Sequence, residues 1–242
     1  MQFTILREHR DYFQKHGYVE FDDLLRKEEI EELNLALDQV LSLRLKVSSE
    51  GLKSCSIEEI IMAGRDARFE SDCIKKNACK LRLAKTASQL MEIRPLRLAY
   101  DQALVSRLGL SFSRFTNPVV ARLFENKTFT LREMSGFQGR LCGIMLCLKG
   151  PKGGISAEKE LLEGNGIFSK KSGNGIYFDG NAPISFSFLM SDPFSRYLLV
   201  VYAEKKTFYA LKDADPHAHF LKRYGYVFGD RLREEFHPTL YR

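Results

Sequence analysis

The sequence predicts an α+β domain, a β-barrel or sandwich buttressed by N-terminal helices. Three observations predict it. Apolar residues recur at spacings of three and four up to Met91, alternate with polar ones from Leu96, and run unbroken over Leu141–Leu148. The first pattern is the helical period, the second the period of a half-buried strand, and the third a fully buried strand. Helices first and strands later make an α+β arrangement.

The elements follow in order. Residues 4–16 read as a helix stopped by Gly17, and Tyr18-Val19-Glu20-Phe21 alternates as a short strand. Asp22 or Asp23 is placed to cap the next helix. That helix carries Ile30, Leu33, Leu37, Val40 and Leu41 on one stripe, and Glu28, Glu29, Glu31 and Glu32 near its start suit the helix dipole. Residues 46–56 read as a loop and Ile57–Ala63 as a short helix broken by Gly64-Arg65-Asp66. Ile74 to Met91 reads as one longer helix. A strand follows at Leu96–Asp101, then a turn and short helix at Asn117-Pro118, the apolar strand from Leu141, and a turn over residues 149–154. The segment 155–172 is polar. Strands are then expected at Ile176-Tyr177-Phe178 and Ile184–Met190, with a hairpin of Tyr197–Ala203 and Thr207–Leu211. One domain spans 1–242: 1–95 mainly helical support, 96–212 the β core, 213–242 a C-terminal segment packed outside. His237, next to Pro238 in that segment, is expected to be exposed.

Composition narrows the function. Hydrophobic residues are 44% and charged residues 28%, as in ordinary globular proteins. The net charge of +6, from 37 Lys and Arg against 31 Asp and Glu, favours anions. The charges are interspersed and no nucleic-acid motif accompanies them, so nucleic acid is not expected as a partner. Met1–His16 is charged throughout, without the apolar core of a secretory signal. The apolar stretch Leu198–Ala203 is too short to cross a bilayer. Five cysteines, none in a Cys-x-x-Cys pair, read as free thiols in a reducing compartment. The expectation is a cytoplasmic protein that does not engage a membrane. No phosphate-loop glycine pattern and no Gly-x-Ser-x-Gly elbow occurs.

Three stretches carry a family resemblance. They are DYFQKHGYVEFDDLLRKEEIEELNLALDQV, QLMEIRPLRLAYDQAL and GNGIYFDGNAPISFSFLMSDPFSRYLLVVY. In this order they resemble the phytanoyl-CoA dioxygenase-like proteins, and a bacterial branch of that family fits. The resemblance implies a double-stranded β-helix (jelly-roll) core. In active members it implies Fe(II) at a His-x-Asp…His triad with 2-oxoglutarate beside it. It implies that Arg196 stands where an arginine grips the 2-oxoglutarate carboxylate, a task suited to the planar guanidinium. Tyr100, Gln102 and Arg97 fall on the strand where family members contact 2-oxoglutarate, and Tyr100 and Gln102 share a phase.

The metal ligands are missing from this pattern. The distal histidine would fall at Ser185 or Ile184, and the upstream His-x-Asp at Phe137 and Gly139. No histidine occurs between His16 and His217. The leading expectation is a degenerate metal site: a non-catalytic domain that binds a small anion through Arg196, Gln102 and Tyr100, without a metal or cofactor. The alternative is an active Fe(II)/2-oxoglutarate oxygenase with unusual ligands drawn from Glu133, Asp179, His217 or His219. A third reading is a basic protein that engages partners through its surface, with salt-sensitive binding.

Overall fold

The change of period at Leu96 is a change of layer. In a computed structural model, which describes residues 5–106, 115–125, 128–151, 167–191 and 195–242, the helical residues cover one face of a curled antiparallel sheet. The helices of the first layer are α1 (Arg7–His16), α2 (Lys27–Leu45), α3 (Ile57–Ala63), α4 (Asp72–Ala78) and α5 (Leu81–Met91). The sheet contains β1 (Tyr18–Phe21), β2 (Leu96–Val105), β4 (Leu141–Lys149), β5 (Gly175–Asp179), β6 (Arg196–Glu204) and β8 (Thr239–Tyr241) in the order β1-β5-β4-β6-β2-β8. A separate two-stranded pair joins β3 (Phe137–Gln138) to β7 (Phe208–Tyr209). Short helices α6 (Pro118–Phe124), α7 (Leu131–Met134) and α8 (Phe188–Ser191) line the concave side or its rim.

Strand alternation divides the core in two. On β6, Tyr197, Leu199, Val201 and Ala203 face the concave interior, whereas Leu198, Val200 and Tyr202 face the helices. Strand β4 does the same, with Met145 and Cys147 inward and Ile144, Leu146 and Leu148 toward α2 and α5. A strand buried on both faces reads as an unbroken apolar run, which is why Leu141–Leu148 shows no alternation in sequence. Helix α2 buries Leu33, Ala36, Leu37, Val40 and Leu41, the stripe its spacing predicts.

Several local expectations are corrected. The helix expected over Ile74–Met91 is two: Ser71 caps α4 through Ile74 N–H, and extended Lys80 separates it from α5. Both halves keep their apolar residues on the same core, so the periodicity survives the break. Arg26, not Asp22 or Asp23, precedes α2, and Glu29 Oε2 accepts from its N–H at 3.0 Å. The strand expected over Ile184–Met190 is one bridge, Ile184 to Phe129, followed by α8. The hairpin expected of Tyr197–Leu211 does not form, because β7 pairs with β3. The C-terminal segment does not stay outside: β8 joins the sheet edge beside β2 and His237 is fully buried. The turn 149–154 and the segment 155–172 lie partly outside the described residues. Among the described residues, no helix is long and apolar enough to cross a membrane.

Candidate functional site: an interior cavity closed by Arg65

The concave face of β2 forms the floor. Tyr100, Gln102 and Leu104 point inward from alternate positions. A short segment, Gly64–Asp66, runs alongside them. Ala103 N–H donates to Gly64 O at 2.9 Å and Asp66 N–H to Asp101 O at 2.8 Å. Glycine is required at 64 because a Cβ there would meet Ala103 O and Gln102 Nε2, each at 2.8 Å. From α2, Arg44 reaches back and donates to Ala63 O at 2.7 Å and Asp66 O at 3.0 Å. Arg68 ties the other end, pairing with Asp66 and with Asp101 Oδ2 at 2.8 Å. The segment is thus held at both ends, and Arg65 between them is directed inward.

The Arg65 guanidinium lies over the Tyr100 ring, 3.3 Å from its centroid. This is close cation–π contact in a desolvated place, since Arg65 is only 6% exposed. Its nearest paired carboxylate oxygen, Asp66 Oδ2, is 3.9 Å away, and that residue already serves Arg68. Asp215 also acts on Arg65 from the turn that closes the cavity. The Asp215 carboxyl is pushed above the usual range by burial, against the pull of Arg65 and of the backbone N–H groups of His217 and Gly136. His217 is buried and neutral: burial first, and then the Arg65 charge, push it down to about 3. Its Nε2 stands 3.3 Å from Met62 O, which assigns the ring proton to that nitrogen.

Tyr100 is fully buried, and its hydroxyl makes no hydrogen bond of good geometry, although Ser135 and Arg65 stand near enough to act on it. Burial pushes the phenol up to about 12, although Arg65 and Ser135 favour its ionised form. Gln102 Nε2 donates to Ile61 O and Ala103 O, both at 3.0 Å, which leaves Oε1 as its remaining polar atom. Opposite this polar end, Leu123, Phe124, Met134, Phe186 and Leu199 supply an apolar wall. The free space is about 20 Å³, room for about one water.

Two of the three residues expected to bind a ligand, Tyr100 and Gln102, reach this cavity. Arg196 does not. It begins β6 on the helix-facing side, where its guanidinium forms a two-pronged pair with Asp38 of α2, Nη1 to Oδ2 at 3.1 Å. Strand parity decides this, because inward Tyr197 puts its neighbour on the other face. Arg97 also turns away, donating to Leu232 O and pairing with Glu234. Arg65, Asp215 and His217 were not assigned to an anion site by the sequence. Arg65 reads there only as part of a helix break.

Fe(II) needs a donor set, and the candidate ligands do not assemble one. Glu133 is committed to the start of α7, where its Oε2 accepts from Thr130 N–H at 2.8 Å. Asp179 accepts from Asn181 at the end of β5. His219 packs its ring on Phe228, away from the cavity lining. Among the described residues, no three His, Cys, Asp or Glu side chains stand close enough to hold a metal ion. Phe137 stacks on Tyr100 and Ile184 is buried in the same interior core. These are two positions where the resemblance would put ligands. Among the described residues, the side chains at these positions do not fit Fe(II).

Comparison with known proteins gives the fold its context. No protein-family model matches the sequence, and no curated protein does. Solved structures match across nearly the whole chain. The non-heme alpha ketoglutarate dependent epimerase SnoN from nogalamycin biosynthesis aligns over 97% of this chain and 98% of its own, with a TM-score of 0.66 and 16% identity. The carbocyclase SnoK of the same biosynthesis covers 97% and 96%, with a TM-score of 0.64 and 12% identity. EctD from S. alaskensis, solved with 2-oxoglutarate and 5-hydroxyectoine, covers 98% and 87%, with a TM-score of 0.61 and 12% identity. The chain has the half-barrel fold of the Fe(II)/2-oxoglutarate oxygenases, of phytanoyl-CoA dioxygenase-like type. At these identities the likeness is one of fold, and function must be argued from the site.

Proposed function

We propose that this chain is a non-catalytic binding protein on an oxygenase fold, and that its interior cavity takes a small carboxylate with an apolar tail. One observation carries the reading: Arg65 is a buried cation, incompletely neutralised, at the polar end of an otherwise apolar cavity. A buried guanidinium whose paired carboxylate lies 3.9 Å away and is shared with Arg68 is only partly compensated, and a ligand carboxylate offers two oxygens in matching geometry. The Tyr100 hydroxyl supplies a further donor, and Gln102 Oε1 an acceptor for a protonated or hydroxylated ligand. The apolar wall suits a short hydrocarbon chain. A guest larger than a water enters by drawing the guanidinium off the Tyr100 ring. The residues do the work of binding and orientation, and the reading calls for no metal.

The test is thermal melting with acetate, butyrate, hexanoate and 2-oxoglutarate, in wild type and Arg65→Gln. A ligand of the native state raises the melting temperature. The expected result is a rise that grows with tail length from acetate to butyrate and is absent in Arg65→Gln. An equal rise in both proteins rejects Arg65 as the anchor. A rise confined to samples with Fe(II) and 2-oxoglutarate would instead support the oxygenase reading.

A further inference from the structure

We infer that the cleft beside β8 is a second binding site, for a small phosphate-bearing molecule. It shares no lining residue with the interior cavity. The cleft measures about 510 Å³ and is walled by Arg94, Pro95, Arg97, Lys205, Arg242, Glu234 and Thr239. That volume is in the range of metabolite sites. Four of the seven lining residues are cationic and one is acidic.

The single acid is already engaged. Glu234 accepts from Thr239 N–H at 2.8 Å and from its hydroxyl at 2.9 Å, and pairs with Arg97 Nη2 at 3.0 Å. Those contacts, Thr239 first, hold its carboxyl below the usual range. Arg97 is largely buried and anchored on Leu232 O, so it forms a fixed wall. Among the described residues, Arg94, Lys205 and Arg242 have no carboxylate within 4.0 Å. Three cations without a close ion pair thus converge on one concave space, and of these Arg242 acts on Glu234 only at longer range. Arg94 is further held by the Tyr241 ring, 4.9 Å from its guanidinium carbon, which limits the entropy lost on binding.

The charge count selects the class of guest. One carboxylate neutralises one cation, whereas a phosphate ester or diphosphate presents several oxygens and two or more charges. Guanidinium forks match phosphate oxygens in pairs. The cations sit around a cleft rather than along a stripe, which favours a compact anion over an extended polyanion such as single-stranded nucleic acid.

Calorimetric titration at constant ionic strength tests this, with inorganic pyrophosphate, acetate and a single-stranded oligonucleotide as probes. The proteins are wild type, Lys205→Glu, the double variant Lys205→Glu/Arg242→Glu, and Arg65→Gln. Pyrophosphate is expected to bind wild type and Arg65→Gln alike with one-to-one stoichiometry, and acetate not to bind at this cleft. The double variant is expected to bind pyrophosphate about tenfold more weakly or less, with an unchanged melting temperature in buffer. Lys205→Glu alone keeps the test open if the double variant misfolds. Absent or non-saturable pyrophosphate binding in wild type overturns the inference, as does equal binding in the charge-reversed variants. An oligonucleotide that binds more tightly than pyrophosphate through the same residues overturns the small-molecule assignment. Arg65→Gln separates this outcome from failure of the interior cavity.

Discussion

Acidification should destabilise this protein through two buried histidines. His217 and His237 are both held at about 3 in the folded state, against an ordinary value of 6.5. Burial is the main cause for each, reinforced by Arg65 near His217 and by Arg68 near His237. The folded values lie below the unfolded one, so the unfolded chain takes up protons first as pH falls. Stability is complete above about pH 6.5 and is lost progressively toward pH 3. Each unit of separation is worth about 1.4 kcal/mol, so each histidine costs about 2 kcal/mol between pH 7 and pH 5. The raised Asp215 works the other way, since a carboxyl that takes its proton more readily when folded stabilises the fold on acidification. The clean quantity is therefore a difference. Urea unfolding of wild type and His217→Gln at pH 7 and pH 5 isolates the contribution of His217, because glutamine can still donate to Met62 O. The variant should lose about 2 kcal/mol less than wild type across that interval. An identical loss in the two proteins would refute the assignment of a buried neutral His217.

Three further outcomes follow from the packing. Tyr100→Phe removes a buried hydroxyl that makes no hydrogen bond of good geometry, so stability should hold or rise by up to about 1 kcal/mol in urea, while carboxylate affinity falls in calorimetry. Arg196→Ala should cost about 1–2 kcal/mol by breaking the two-pronged pair with Asp38, with carboxylate affinity unchanged. Gly143→Ala would drive a Cβ into the Phe178 ring, and the overpacking should cost about 1–3 kcal/mol of stability, read as a lower urea midpoint with an unchanged slope.

The sequence carried the layers because burial on a sheet and on a helix leaves different periods. The Leu33–Leu41 stripe, the Ile57–Ala63 helix behind Ser56, and the inward phase of Tyr100 and Gln102 all follow from local spacing. The site was harder to read because its parts are brought together by long-range pairing. Gly64-Arg65-Asp66 looks like an exposed helix break. It is buried only because Asp66 and Gly64 bond to Asp101 and Ala103 on β2, far along the chain. A faint signal existed: three charged residues, Arg65, Asp66 and Arg68, crowd a break too short to stand clear of two apolar helices. Arg196 misled for the opposite reason. Its place after the Gly173–Ser195 stretch fits the family order, but its neighbour Tyr197 takes the inward position. His237 reads as exposed beside Pro238, yet β8 draws it under the sheet edge, where its Nδ1 lies 2.8 Å from Ala99 O.

The most direct test of the interior site is calorimetric titration of butyrate into wild type and Arg65→Gln, with a metal chelator present throughout. The account predicts saturable one-to-one binding to wild type that survives chelation and is lost in Arg65→Gln. Binding that vanishes with the chelator, or that persists undiminished without the Arg65 guanidinium, would contradict it.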